Sequence, residues 1–422
     1  MNQDLSMLAA VFTKSLNLGP EWTVENVEFK EVKDAKDEFH IYIVRTTGYT
    51  VQCPTCGKEV GVYDTRDREW RHLDIWQFKT VIHCQVPRSD CPEHGPHTID
   101  VPWSSDNAAH FTALFEALVL TMAMAGLTVR GISKIVGEHD TRLWRILRAS
   151  VDAAREDADY SDVTAIGVDE TARRRGHNYL TSFVDVPHKR VLFVTEGRDS
   201  STLGSFVQDL KEHAGSPKKI ATITCDMSPA FAAGARIYLP NASRIIDHFH
   251  VIQLFTRQLD FVRMSERKES EEKLECLKKS RYIWLKNVSN LTEKQLRRKE
   301  SLYKLHLKTM RACMMKEEMQ SIYECRNRTE AETRLAKLTS WMMHSRLEPM
   351  KKVARTIRRN QEEILAYFDH QYTNAILEGL NSIIQSAKRM ARGYRNLEYF
   401  KTIIYLNLGK LTFGTLKSSA TH

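Results

Sequence analysis

The sequence predicts an α/β fold: a mixed sheet with crossover helices and an all-helical insertion, preceded by a small Cys/His-rich module and a helix-turn-helix. Three observations predict it. Short apolar runs alternate with helical patterns between residues 163 and 249. From about 250 to 368 the strands give way to charged, amphipathic helical spacing. Four of the eight cysteines fall before residue 92.

The elements follow in order. VTAIGVD (163–169), NYLTSFVDV (178–186) and RVLFVTEG (190–197) read as three strands, the last two joined by the tight turn Pro187-His188-Lys189. A helix at about 200–213 leads to a fourth strand, KIATITCD (219–226). A helix at about 228–237 leads to a short fifth, RIIDHF (244–249). Antiparallel neighbours followed by crossover units make a mixed sheet. The long stretch to 368, with runs such as SERKESEEKLECLKKSRYIWLKN, is an inserted helical domain. A final helix runs over about 373–391, with Gly393 as its stop.

A chain of 422 residues spans two to four domains. With 42% hydrophobic and 27% charged residues it is globular rather than disordered. A net charge of +9 points to a polyanionic partner. No secretory leader is visible at the N-terminus, which carries acids where a basic segment would stand. The greasiest stretch, residues 111–129, contains Glu116 and runs into the helix-turn-helix, so it reads as a buried helix. The expected location is the cytoplasm, without membrane contact.

Clustered cysteines without a leader favour metal over disulfides. Cys53-Pro-Thr-Cys56 and Cys91-Pro-Glu-His94 are two pairs at the same spacing. Together they make a tetrahedral S₃N set for one structural Zn²⁺. His83, Cys84 and His97 are alternative fourth ligands. Cys84 alternates with Ile82 and Val86 on a strand-like run, which places it in a core. Bound metal would supply folding energy to a segment too small for its own core.

TVRGISKIVG (128–137) reads as a short helix capped by Thr128 and stopped by Gly137. HDTRLWRILRAS starts a second, with Arg142, Arg145 and Arg148 in one arc, the arrangement of a recognition helix. Those arginines serve phosphates as readily as bases. RTIRRN (355–360) and Lys388, Arg389, Arg392 and Arg395 are further basic faces that suit a DNA backbone. Trp284 suits base stacking or, more commonly, a core.

Asp169 and Asp226 each end an apolar strand, at the rim where open α/β sheets place their sites. Strand-end aspartates also cap helices, and Asp226 precedes Met227-Ser228-Pro229, a fair helix start. Glu378 shares a polar helix face with Asn381, Gln385 and Lys388, opposite the stripe Ile376, Leu380, Ile383, Ile384 and Ala387. Carboxylates from separate segments suit Mg²⁺ or Mn²⁺.

The blocks VDETARRRGHNYLT, CDMSPAFAAGARIYLPNA, IIDHFHVIQLF and ILEGLNSIIQSAKRMARGYRNLEYF together resemble the ISL-three family of bacterial insertion-sequence transposases. The order of modules over roughly residues 50–410 resembles it too. The strand and helix order is also that of ribonuclease H-like nucleases. The resemblance implies that Asp169, Asp226 and Glu378 are the three acids of a DDE site holding two Mg²⁺ or Mn²⁺ ions. It implies a supporting role there for Asp247 and His250 of the IDHFH block, which local packing and capping explain equally well. It implies double-stranded DNA, transposon ends and target, as partner, and at least a homodimer, because two ends are joined.

The expected organisation is an N-terminal segment (1–50), a zinc-binding module (51–103), a helix-turn-helix (107–158), a catalytic domain in two parts (160–250 and 369–422) and a helical insertion (251–368). The expected function is metal-dependent DNA cleavage and strand transfer at terminal inverted repeats. A domesticated nuclease and a non-cutting DNA-binding regulator are the alternatives.

Overall fold

In a computed structural model, residues 2–32, 37–104, 110–172, 179–370 and 375–414 are described. The chain divides into two compact units, residues 1–158 with 386–422, and residues 159–385.

The first unit opens with α1 (Asn2–Ser15), which packs against a six-stranded sheet. Its strands are β1 (Trp22–Lys30), β2 (Glu38–Arg45), β3 (Val51–Gln52), β4 (Glu59–Arg71), β5 (Lys79–Cys91) and β6 (Gly95–Thr98). They lie in the order β1-β2-β5-β4-β3, with β6 on β5. β2 and β5 run parallel, from Glu38 opposite Lys79 to Ile43 opposite Cys84.

The boundary expected at residue 50 therefore falls inside one sheet. The core explains why. Trp22, Ile41 and Ile43 from before residue 50 pack with Trp70, Ile82 and Trp103 from after it. Trp22 and Trp70 both set their edges against Trp103, at 5.1 and 5.5 Å between centroids. Neither segment has enough apolar surface to close a core alone, and shared burial joins them.

Three helices follow: α2 (Ala113–Met124), α3 (Val129–Val136) and α4 (Asp140–Glu156). Thr128 caps α3 by accepting the N–H of Gly131 at 3.2 Å. The α3–α4 turn is pinned by the Ser133 hydroxyl, which donates to the Glu138 carbonyl at 2.7 Å. The last helix of the chain, α17 (Leu397–Leu408), packs on α4, with the Arg155 guanidinium 4.1 Å from the centre of the Tyr405 ring.

The second unit is built on a five-stranded sheet: β7 (Ala165–Ala172), β8 (Tyr179–Asp185), β9 (Arg190–Glu196), β10 (Thr222–Cys225) and β11 (Ser243–Ile246). The order is β11-β10-β7-β8-β9. β7, β8 and β9 form an antiparallel meander, and β10 and β11 join parallel to β7. Crossovers through α5 (Ser201–Glu212) and α6 (Pro229–Tyr238) make those parallel pairs possible. The mixed sheet matches the expectation from sequence.

The insertion begins with α7 (His248–Glu266), α8 (Glu271–Cys276), α9 (Arg281–Leu285) and α10 (Glu293–Tyr303). It continues through α11 (Lys308–Ile322), α12 (Arg328–His344), α13 (Glu348–Arg359), α14 (Gln361–Leu365) and α15 (Tyr367–His370). One apolar core runs from Ile246 through Leu365. Trp284 lies wholly inside it and donates its indole N–H to Ser280 Oγ at 3.1 Å, so its core role holds rather than stacking. Buried Glu266 accepts the N–H groups of Lys308 and Thr309, each at 2.7 Å, and so caps α11.

The chain then reaches α16 (Ala375–Met390), which crosses from the second unit to the first. Among the described residues no helix is long and apolar enough to cross a membrane.

Candidate active site and metal cluster

The site grows from strand register. Thr224 pairs with Gly167 across β10 and β7, and Cys225 pairs with Ile246 across β10 and β11. Continued past the strand ends, that register sets Asp226 beside Asp169 on one side and beside Asp247 on the other. The Asp247 N–H donates to the Cys225 carbonyl at 3.2 Å, so the ladder does extend to Asp247. Neighbouring strands lie about 5 Å apart. The register thus lines up Asp169, inside β7, with Asp226 and Asp247, each just past the carboxyl end of its own strand.

Local hydrogen bonds aim each one. Asp169 Oδ1 accepts the N–H of Glu170 at 2.8 Å, and its Oδ2 accepts from the side-chain amide of Asn381. Asp226 Oδ1 accepts the N–H of Ser228 at 2.8 Å, in the turn that opens α6. Asp247 Oδ1 accepts the N–H of Phe249 at 3.2 Å and caps α7. Capping and site geometry are compatible here, because each carboxylate oxygen has two lone pairs and one accepted hydrogen bond leaves the other for a cation.

The row is electrostatically crowded. Burial pushes the Asp169 carboxyl above its ordinary range, and Asp247 and Asp226 push the same way. Burial also raises Glu170, with Asp226 as the next cause. His248 is raised by its hydrogen bond to Asp247, and Glu378 adds to that shift. His250 acts electrostatically on both Asp169 and Glu170 and lies 3.9 Å from Asp247. Half-buried acids whose charge is disfavoured by burial and by one another are relieved by a cation.

Glu378 is exposed, in the first turn of α16. Its neighbours hold that turn against β7. Asn381 bridges Asp169 and Thr171, whose hydroxyl donates to Asn381 Oδ1 at 2.9 Å. Leu377 packs so closely on Gly167 that a Cβ there would stand 2.5 Å from its Cδ1. Gly167 is therefore what lets the helix approach the strand. Residues 378 and 381 share a helix face, so the anchor and the acid point the same way.

Neither Asn381 nor Gly167 stood out as functional in the sequence. The signal was present: Asn381 lies on the polar face with Glu378, and Gly167 interrupts an otherwise apolar strand.

Among the described residues, two groups have ligand atoms all within 4.8 Å of one another. Asp169, Asp226 and Glu378 are not one of them. The first group is Cys53, Cys56, Cys91 and His94. Cys56 Sγ lies 3.9 Å from Cys91 Sγ, and His94 Nδ1 lies 3.4 Å from Cys91 Sγ and 3.9 Å from Cys53 Sγ. Tetrahedral Zn²⁺ with bonds of about 2.3 Å to sulfur sets sulfurs about 3.8 Å apart.

Gly57, at φ 69°, turns the first knuckle, donating its N–H to the Cys53 carbonyl at 2.8 Å. The Cys56 N–H, together with that of Thr55, brings the Cys53 thiol down to about 6, towards the thiolate that binds metal. Cys84 instead lies in the sheet core, where burial pushes it up to about 12. His83 pairs with His40 at 2.6 Å, and the His97 ring lies 2.7 Å from the His94 carbonyl, so neither competes.

The second group is Asp162, Asp185 and His188. Arg190 already bonds both acids, Asp185 Oδ2 at 2.9 Å and Asp162 Oδ1 at 2.6 Å. It reads as an ion-paired anchor for the β8–β9 hairpin.

The basic residues separate. Arg142 pairs with buried Glu138, and its guanidinium lies 4.6 Å from the centre of the Phe111 ring. Arg145 is exposed, and Arg148 is exposed 3.6 Å from Asp152. Arg389, Arg392 and Arg395 are exposed and Lys388 is half-buried. The exposed face of α4 thus carries Arg145 and Arg148, while Arg142 ties the turn to the unit's interior.

A sulfur-and-imidazole cluster, a helix-turn-helix and an acid-bearing α/β domain, in that order, define the modular plan of a transposase. Family comparison agrees module by module. A family described as transposase, the ISL3 DDE type, matches residues 166–404. The zinc-finger of transposase IS204/IS1001/IS1096/IS1165 matches 50–94, and the helix-turn-helix domain of transposase family ISL3 matches 100–151. The first match spans more than half of the chain, and the protein belongs to the ISL3 family of transposases.

Full-length relatives are similar. The chain is 26% identical over 431 residues to the transposase for insertion sequence element IS1557 of Mycobacterium tuberculosis, covering 94% of this chain and 95% of the relative. It is 25% identical over 402 residues to the transposase for IS1001 of Bordetella parapertussis, covering 93% and 97%.

Proposed function

We propose that this transposase binds the terminal inverted repeats of an insertion sequence and cuts and joins DNA with two Mg²⁺ or Mn²⁺ ions. The observation that carries the reading is the register that brings Asp169 on β7 level with Asp226, just past the end of the neighbouring parallel strand β10. The strand order and directions fit a ribonuclease H-like domain.

The residues fit the metal. Carboxylate oxygens are the donors that Mg²⁺ prefers, and a divalent ion would offset the burial and the neighbouring acids that disfavour charge on Asp169. Bound there, the ions supply Lewis-acid charge to the attacking and leaving oxygens of an in-line displacement.

Asp169 and Asp226 are the strand-held metal carboxylates, and Glu378 completes the set from α16. Asn381 orients Asp169 by hydrogen bond. Asp247 and His250 support the row from its far side. Water displaces the 3′-oxygen at the element's end and leaves a 3′-hydroxyl. That hydroxyl then attacks a target phosphodiester, so one bond forms as another breaks. Joining two ends takes at least two copies of the chain.

Cys53, Cys56, Cys91 and His94 hold one structural Zn²⁺. Arg145, Arg148, Arg389, Arg392 and Arg395 are the exposed cations offered to DNA, with Lys388 beside them.

The test is incubation with paired end sequences and Mg²⁺. Cleaved and joined products are expected. Cleaved products without joining would make the protein a nuclease. Binding without cleavage would make it a regulator and overturn the reading.

A further inference from the structure

A cavity of about 620 Å³ lies in the first unit, between the helix-turn-helix and the C-terminal helical segment. The proposed cleavage reaction makes no use of it. α3 contributes Arg130 and Lys134, and α4 contributes Trp144. Arg392 and Arg395 come from the turn after α16, and Tyr399 from α17.

The aromatic wall is built. Trp144 and Tyr399 stack face to face, with centroids 4.1 Å apart and planes 2° from parallel, and Tyr394 sets its edge towards Trp144 at 6.3 Å. Ala123, Gly126, Ala387 and Ala391 add small side chains to the lining. Four cations line the space against one acid, Asp140. Arg130, Lys134 and Arg392 are exposed and make no ion pair among the described residues.

Duplex phosphates lie along a broad convex backbone and are met by flat or protruding surfaces. This space is concave, and its volume is in the range of sites for single small ligands. It combines an aromatic surface with clustered positive charge. The part of DNA with one planar ring system, one anionic group and that size is an unstacked nucleotide. Proteins hold such nucleotides by stacking the base on aromatic rings while cations track the phosphate. A nucleotide at a nick or frayed end leaves the helix more easily than a paired one.

We propose that this cavity holds one unstacked nucleotide of the bound DNA, its base against the Trp144–Tyr399 pair and its phosphate among Arg130, Lys134 and Arg392. The proposal rests on the reading of the protein as a DNA-processing transposase. It adds a subsite that recognises DNA opened near its end.

The test is fluorescence anisotropy on the full chain, without Mg²⁺, with two probes: a twelve-nucleotide single strand and the paired duplex of the same sequence. Trp144→Ala should weaken single-strand binding roughly tenfold or more, with duplex binding changed less than about twofold. Trp144→Phe should restore most of the loss. Should Trp144→Ala fail to fold, the double variant Arg130→Ala/Lys134→Ala, which touches only exposed side chains, decides by the same readout.

An equal loss on both probes would overturn the proposal in favour of an ordinary phosphate track. Unchanged single-strand affinity would also overturn it. So would thymidine monophosphate binding as tightly as the oligonucleotide, which would make the cavity a small-molecule site. Cleavage is not read, so failure of the transposase reading shows separately, as absent products in the paired-end assay.

Discussion

The Cys/His cluster and the carboxylate row are the two proposed metal sites, and they are assembled in opposite ways. The four zinc ligands come from two short knuckles and stand ready, with sulfur and nitrogen atoms 3.4–3.9 Å apart. The carboxylates come from two strands and a helix more than two hundred residues along the chain, and Glu378 is exposed while Asp169 is half-buried. A structural ion holds a small segment together, so its ligands must already converge. A catalytic Mg²⁺ keeps water and substrate oxygens in its shell, so its carboxylates leave room. The difference teaches what separates the two proposals: preformed closure suits a structural ion, and a spaced row of acids suits a reactive one.

The sharpest test of that contrast removes one acid. Asp226→Asn should cut cleavage by about a thousandfold or more, since the lost metal contact is worth several kcal/mol to the transition state. End binding in a gel shift should stay within about twofold. Cleavage at the parental rate would remove Asp226 from the site.

Cys53→Ser tests the other side. Zinc content should fall from about one ion per chain to nearly none, with lower thermal stability and weaker end binding. Unchanged metal content would show that these ligands had been misassigned.

A smaller effect is expected at the tether. Asn381→Ala frees the Asp169 carboxylate and the first turns of α16, and cleavage should drop about ten- to a hundredfold. Such a loss, largely in kcat at saturating Mg²⁺, would show that the row depends on helix-to-strand anchoring. No loss would make the hydrogen bond incidental.

The smallest effect is on stability. Because burial raises the Asp169 carboxyl in the folded protein, that state holds the proton more tightly than the unfolded chain does. The charged group therefore costs nothing below the unfolded value near about 3.9, and its cost grows as pH rises through the folded value. Metal-free Asp169→Asn should then be more stable than the parent at pH 7, a gain that fades towards pH 3. Mg²⁺ should raise the melting midpoint of the parent more than that of the variant. Equal responses would detach Asp169 from metal binding.

Much of this was legible in the residues. The paired knuckles announced zinc because two ligands at one short spacing are a local property of the chain. The strands carrying Asp169 and leading to Asp226 were visible as apolar runs, although β7 runs past Asp169 to Ala172, and the capped helix at Thr128 was visible as a cap followed by helical spacing. Arg142 misled in part: its place in an arginine arc said nothing of the buried Glu138 that claims it. The lining of the cavity by Trp144 and Tyr399 was invisible, since their side chains meet across some 255 intervening positions.

By itself the sequence determined the kinds of element, the ligand chemistry and, through its motif blocks, the family. Only the tertiary structure decided that residues 1–50 share a sheet with the zinc knuckles, that three aspartates fall into one row, and that Asn381 and Gly167 bring α16 to β7. The reason is physical. Helical and strand periods, turns and short ligand spacings act over a few residues, whereas register and close packing depend on which distant surfaces bury one another.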